Sequence, residues 1–89
     1  MKQLHVTVPN KTGLHARPAR LFVKEVSKFQ SKILIKKQQD QDYVNAKSIL
    51  TVMALGAGQN TNLEIVADGN DEDQAIECIR ELFRLNLME

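Results

Sequence analysis

Apolar and polar residues alternate at the start of the chain, where Leu4, Val6 and Val8 are separated by His5 and Thr7. A period of two sends one set of side chains to a buried face and the other to water, which predicts a half-buried strand. Pro9 and Asn10 end it, and Gly13 falls in a short loop ahead of Leu14 and His15. From Ala16 to about Phe29 the period lengthens. Ala19, Phe22, Val23 and Val26 recur at i, i+3, i+4 and i+7, the spacing of one helical face. Pro18 sits in the first turn, where its missing N–H costs nothing and its fixed φ suits a helix. The helix therefore begins immediately after His15.

Ile33 to Ile35 is a short run with β-branched residues and reads as a strand. The polar stretch from Lys37 to Asp42 is a turn, and Tyr43-Val44-Asn45 resumes a short strand, so a hairpin is predicted. Ser48 can cap a second, short helix carrying Ile49, Leu50, Val52, Met53 and Leu55, with Gly56 as its stop. After a loop from Gly58 to Thr61, Leu63, Ile65 and Ala67 alternate with Glu64, Val66 and Asp68 in a fourth strand. Gly69-Asn70 turns the chain into a last helix with an apolar stripe of Ile76, Ile79, Leu82 and Phe83. Asp71 and Gln74 make a capping-box pattern at its start, and Glu72 and Asp73 suit its positive end. The order βαββαβα, without repeat or linker, predicts a single domain over residues 1–89. Its fold class is a two-layer α/β sandwich with one sheet face open to water.

Composition narrows the functional classes. The chain has 12 Lys plus Arg against 11 Asp plus Glu, a net charge of +1, which argues against binding driven by nucleic-acid phosphates. With no Trp, one Tyr and three Phe there is little material for a base-stacking platform. Cys78 is the single cysteine, so neither an intramolecular disulfide nor a cysteine-based zinc cluster can form. No apolar run is long enough for a signal peptide or a membrane span, so a soluble cytoplasmic protein without membrane insertion is expected.

The segment Gly13-Leu14-His15-Ala16-Arg17-Pro18-Ala19 carries the chemistry. A histidine just ahead of a helix faces unpaired backbone N–H groups and the positive end of the helix dipole. That field favours the neutral, nucleophilic ring over imidazolium. Once the ring carries a phosphoryl group, the same N–H groups can hold its oxygens, and Arg17 can add a charge-assisted hydrogen bond. One arrangement thus favours both the attacking form and the product. Taken alone, His15 could equally be a helix cap or an ordinary exposed residue.

That segment resembles the active-site signature of the HPr family, the histidine-containing phosphocarriers of the bacterial phosphotransferase system. The resemblance extends over the chain, through Ala46-Lys47-Ser48-Ile49-Leu50 in the middle and Ala67-Asp68-Gly69 before the last helix. It implies a four-stranded antiparallel sheet with three helices on one face. It also implies a carrier that enzyme I, charged from phosphoenolpyruvate, phosphorylates on Nδ1, the pros nitrogen, of His15. The group then passes to the EIIA components of sugar permeases. Arg17 would be the phosphate ligand, and the backbone amides of Ala16 and Arg17 would cradle the oxygens. The carrier itself needs no metal or cofactor, because the group moves directly between aligned nucleophiles. A stoichiometric shuttle of this kind is not an enzyme, and one that visits several partners is expected to be a monomer.

Other positions take their meaning from the same resemblance. Ser48 aligns with a regulatory serine that a dedicated kinase, HPr kinase/phosphorylase, modifies in many bacteria; its other reading is a plain helix cap. Arg17, Arg20, Lys24 and Lys28 are spaced to share one side of the first helix. With Leu14, Ile49, Leu50 and Met53 they form a candidate docking surface for acidic partners, which would speed encounter more than deepen affinity. His5 reads as a partly exposed strand residue, Cys78 as half-buried filler, and Asp71-Glu72-Asp73 as helix-start chemistry. Three departures from the family pattern stand out. The hairpin before Ser48 is longer by two residues. Asn60 replaces a usual Gly, and Asn tolerates the positive φ such a loop requires. Thr51 replaces Gly or Lys in the presumed docking helix, and Leu21-Phe22 is similar to the nitrogen-related branch.

The competing functions are a nitrogen-branch carrier and a regulatory protein that binds its partners according to phosphorylation. The regulatory paralogue in this family lacks the histidine that this chain has. A small phosphatase would need a water-positioning group, which Gly13–Ala19 does not offer. Metal handling lacks paired His and Cys ligands.

Overall fold

The computed structural model describes residues 1–88. Its elements are β1 (Lys2–Thr7), α1 (Ala16–Val26), β2 (Lys32–Lys37), β3 (Val44–Asn45), α2 (Ile49–Ala54), β4 (Asn62–Asp68) and α3 (Glu72–Arg84). A short 3₁₀ turn, Asn86–Met88, follows and was not foreshadowed by the sequence pattern. The strands form one sheet in the order β1-β4-β2-β3, with every neighbouring pair antiparallel. In register, Leu4, Ile65 and Ile35 lie side by side across three strands. Period-two alternation thereby assembles one continuous apolar row. α3 packs on β1 and β4, while α1 packs against α2 and α3. Phe22 of α1 meets Phe83 of α3 edge to face, with ring centroids 6.1 Å apart. The architecture is the open-faced sandwich that the pattern implied.

The open face carries His5, Glu64 and Lys36 in one row across β1, β4 and β2. Val66 belongs to this face by register yet is buried, at 8% exposure. Tyr43 reaches across the same face. Its hydroxyl donates to Glu64 Oε2 at 3.2 Å and accepts from Gln3 Nε2 at 3.5 Å, so the side chain spans the sheet. Lys36 Nζ sits 5.4 Å from the ring centroid and 3.2 Å from Glu64 Oε2.

Two local readings need correction. The first helix stops at Val26 instead of Phe29. The N–H groups of Lys28 and Phe29 donate three residues back, to Glu25 and Val26, and Lys47 Nζ takes the Phe29 carbonyl at 2.6 Å. These tighter bonds unwind the last turn. The capping box at the last helix does not form either. Asp71 makes no side-chain cap, because its carboxylate accepts instead from Gln30 N–H at 2.8 Å, Ser31 N–H at 2.9 Å and the Ser31 hydroxyl. Glu72 takes the Gly69 N–H at 3.1 Å in its place. Asn60, by contrast, adopts φ +72°, the positive value expected where it replaces glycine.

The three donors, the Ser31 hydroxyl foremost, hold the Asp71 carboxyl below the usual carboxylate range. A depressed carboxyl contributes stability above its unfolded-state value, about 3.9 for Asp, and loses it as pH falls through the folded value. Thermal melts should therefore show Asp71→Asn less stable than wild type near neutral pH. The gap should narrow progressively below about pH 4, as Asp71 of the unfolded chain takes up a proton, and close as pH falls through the lower folded value.

Candidate functional site

His15 is the N-cap of α1, in extended conformation at φ −132° and ψ 154°. Its carbonyl accepts the Ala19 N–H at 3.5 Å, a long first helical bond. Its side chain makes no capping bond and is exposed. Ala16 follows at φ +42°, a left-handed conformation that costs about 1–2 kcal/mol for a residue with a Cβ. The first N–H groups of a helix have no partner within it, and Pro18 offers none. The first residues of α1 with a backbone N–H are therefore Ala16 and Arg17, both exposed.

His15 borders a shallow recess of about 290 Å³ shared with Thr12, Leu14, Met53, Gly56, Ala57 and Gly58. The far wall is the chain leaving α2. Gly13, at φ +71°, lies so close to it that a Cβ there would stand 2.7 Å from Gly58 Cα and closer still to the Ala57 carbonyl. Thr12 escaped the sequence reading; its only signal was a place three residues before His15 in a turn-forming run. Leu14 needs correction as a docking residue, because at 2% exposure it anchors the loop from beneath.

The charges around the site are unevenly balanced. Arg17, Arg20 and Lys24 are exposed and have no carboxylate within ion-pair distance among the described residues. On α3, Arg80 pairs with Glu77 and Arg84 with Glu81. Three cations without a carboxylate partner thus follow one another along α1, starting two residues after His15. Lys28 does not extend that stripe: it lies beyond the end of α1 and pairs with Glu25 at 3.0 Å. Beside α1, α2 presents Leu50 at 77% exposure, with Ile49 and Met53 half-buried. Ser48 caps α2 and its Oγ accepts the Thr51 N–H at 3.5 Å, while Thr51 Oγ1 donates to Asn45 and Ser48 carbonyls.

The remaining candidates lie elsewhere. His5 is on the open sheet face, its Nδ1 3.8 Å from Glu64 Oε1. Cys78 is half-buried on α3, with burial pushing its thiol up from the usual range. Among the described residues no cluster of three His, Cys, Asp or Glu could hold a metal ion. No described helix is long and apolar enough to cross a membrane.

A small open-faced sandwich with Gly-Leu-His-Ala-Arg-Pro-Ala at the start of its first helix defines the class of bacterial phosphotransferase-system phosphocarriers. The chain belongs to the PTS HPr family, whose model, described as the PTS HPr component phosphorylation site, matches residues 2–84. It is 48% identical over 79 residues to the phosphocarrier protein HPr of Treponema pallidum, spanning 89% of this chain and 88% of that one. It is 46% identical over 79 residues to the HPr-like protein Crh of Halalkalibacterium halodurans, spanning 89% and 92%. A crystal structure of HPr from Thermoanaerobacter tengcongensis superposes with a TM-score of 0.93 at 44% identity, covering 100% of this chain and 98% of that one.

The strain at Ala16 is directly measurable. Glycine loses about 0.5–1 kcal/mol to alanine through backbone entropy, but at a left-handed position it regains about 1–2 kcal/mol. Urea unfolding should show Ala16→Gly as stable as wild type or more so, and Ala16→Val clearly less stable.

Proposed function

We propose that this protein is a phosphocarrier that accepts a phosphoryl group from phospho-enzyme I on His15 and passes it to EIIA components of sugar permeases. The observation that carries this reading is the exposed, uncapped side chain of His15 at the N-cap of α1, one residue before the first N–H groups of the helix. In the forward step the Nδ1 lone pair attacks phosphorus, the new P–N bond forms, and the bond from phosphorus to the donor breaks. The backbone N–H groups of Ala16 and Arg17 receive the phosphoryl oxygens, and the Arg17 guanidinium adds a charge-assisted hydrogen bond. The reverse geometry delivers the group to the acceptor. No net turnover occurs on the carrier. Arg17, Arg20 and Lys24 draw acidic partners toward His15, and Leu50, Ile49 and Met53 supply the apolar contact.

Incubation with phosphoenolpyruvate, magnesium and an enzyme I should add one acid-labile phosphoryl group by intact-mass spectrometry, and none to His15→Ala. Arg17→Ala should lower the transfer rate by about 10²-fold, the usual loss when one donor to a charged transition state is removed. Paired Arg20→Glu and Lys24→Glu changes should slow encounter most at low salt. Failure of enzymes I from several sources, a nitrogen-branch one included, to label the wild type would sink the reading. The regulatory alternative would then lead.

We also propose that Ser48 is a regulatory phosphorylation site, acted on by HPr kinase/phosphorylase where that enzyme is present. What supports this is its place at the start of α2, one residue from Ile49 and two from the exposed Leu50. A dianion there is tolerated by the helix end yet obstructs apolar docking. Ser48→Asp retains an N-cap oxygen and adds charge. It should leave the melting temperature nearly unchanged while slowing phosphoryl exchange with partners.

A further inference from the structure

We propose that Asn10 is a positioning residue for phosphoryl transfer at His15, acting through the peptide group that joins Gly13 to Leu14. The inference rests on the phosphocarrier reading. Asn10 is only 5% exposed, unusual for a side-chain amide in a loop after an edge strand. Its Nδ2 donates to the Gly13 carbonyl at 2.9 Å and to Thr12 Oγ1 at 3.2 Å. Its own main-chain carbonyl accepts the Gly13 N–H at 3.2 Å, so Asn10 brackets Gly13 from both sides.

The decisive feature is what lies at the other end of the same peptide group. The Gly13 carbonyl and the Leu14 N–H belong to one plane, and Leu14 N–H donates to the Ala57 carbonyl at 2.8 Å. The plane is therefore fixed at its oxygen by the loop after β1 and at its hydrogen by the chain leaving α2. Rotating it would break both bonds at once. Gly13 cannot relax toward the wall, since Gly58 already crowds it. Leu14 cannot move independently, because its side chain is in the core. One residue later stands His15, followed by Ala16 in its strained left-handed conformation.

The strain at Ala16 needs a rigid support upstream, or the helix start would relax and carry the imidazole away from the N–H groups of Ala16 and Arg17. Asn10 supplies the polar half of that support. Removing its amide leaves a buried Gly13 carbonyl without a donor, and the loop must shift to find one. In the sequence Asn10 reads only as a strand terminator, because a bond to the residue three positions on has no signature in hydropathy.

The test compares full-length wild type, Asn10→Ala and Asn10→Asp, the last of similar shape but lacking the two donated bonds. Ile76→Val on α3 serves as a destabilised control far from the loop. Phosphoryl acceptance from phospho-enzyme I is measured at varied donor concentration, and the His15 ring is followed by NMR. The expected result is kcat lower by about tenfold or more in both Asn10 variants, since a small misplacement of a reacting group costs up to about 10²-fold. KM should stay within about twofold, because the α1 and α2 docking faces are untouched. The His15 ring resonances should move in the Asn10 variants and stay put in Ile76→Val. Asn10 variants with reduced stability but wild-type kcat and His15 resonances would overturn the proposal. If the wild type itself accepts no phosphoryl group, the phosphocarrier reading fails, and the His15 resonances still decide whether Asn10 positions the ring.

Discussion

The inward row of the sheet, with Leu4, Ile65 and Ile35 side by side, must be kept from water, and three helices on one face do this. The chain has only Val8 to Leu14 in which to climb from the edge strand β1 to the start of α1. That short crossing sets the conditions for the functional end. It forces Gly13 into a left-handed turn against the chain leaving α2, buries Leu14, and makes His15 the last extended residue before the helix. A longer, looser connection would cover the sheet equally well but would not hold an imidazole at a helix N-terminus.

The opposite end of the sheet is secured differently. Ser31, Gln30, Gly69 and Glu72 gather around Asp71 and the start of α3, so polar hydrogen bonds fix the entry to β2 against the exit from β4. α1 runs between the two ends. Its far end is tied by Lys47 to Phe29, while its near end carries strain at Ala16. The polar ties thus lie at one end of α1 and the backbone strain at the other, beside His15.

Charge follows the same division. The cations of α3 find carboxylates three residues earlier and are neutralised within the helix. Arg17, Arg20 and Lys24 have none among the described residues, so a chain of nearly zero net charge presents a positive flank beside His15. Such asymmetry steers encounter more than it stabilises a fold. On the proposed phosphocarrier reading, the exposed, apolar Leu50 on the adjoining α2 would supply contact once an encounter has formed.

Hydropathy periods of two and 3.6, with Pro18, Ser48 and Gly56 as punctuation, determined the number and order of the strands and α-helices and the start of α1 immediately after His15. These are local properties, because each depends on residues a few positions apart. The motif around His15 was legible for the same reason. Tertiary structure alone decided what became of groups whose best partner is remote in sequence. Asp71 left its capping box for Ser31, forty positions away, since three donors outweigh one local cap. Val66 was buried on the open face, where Tyr43 reaches Glu64 from 21 positions away, and Leu14 turned from the surface to the core. The hold of Asn10 and Ala57 on one peptide group, which joins two loops that sequence cannot bring together, belongs to the same class.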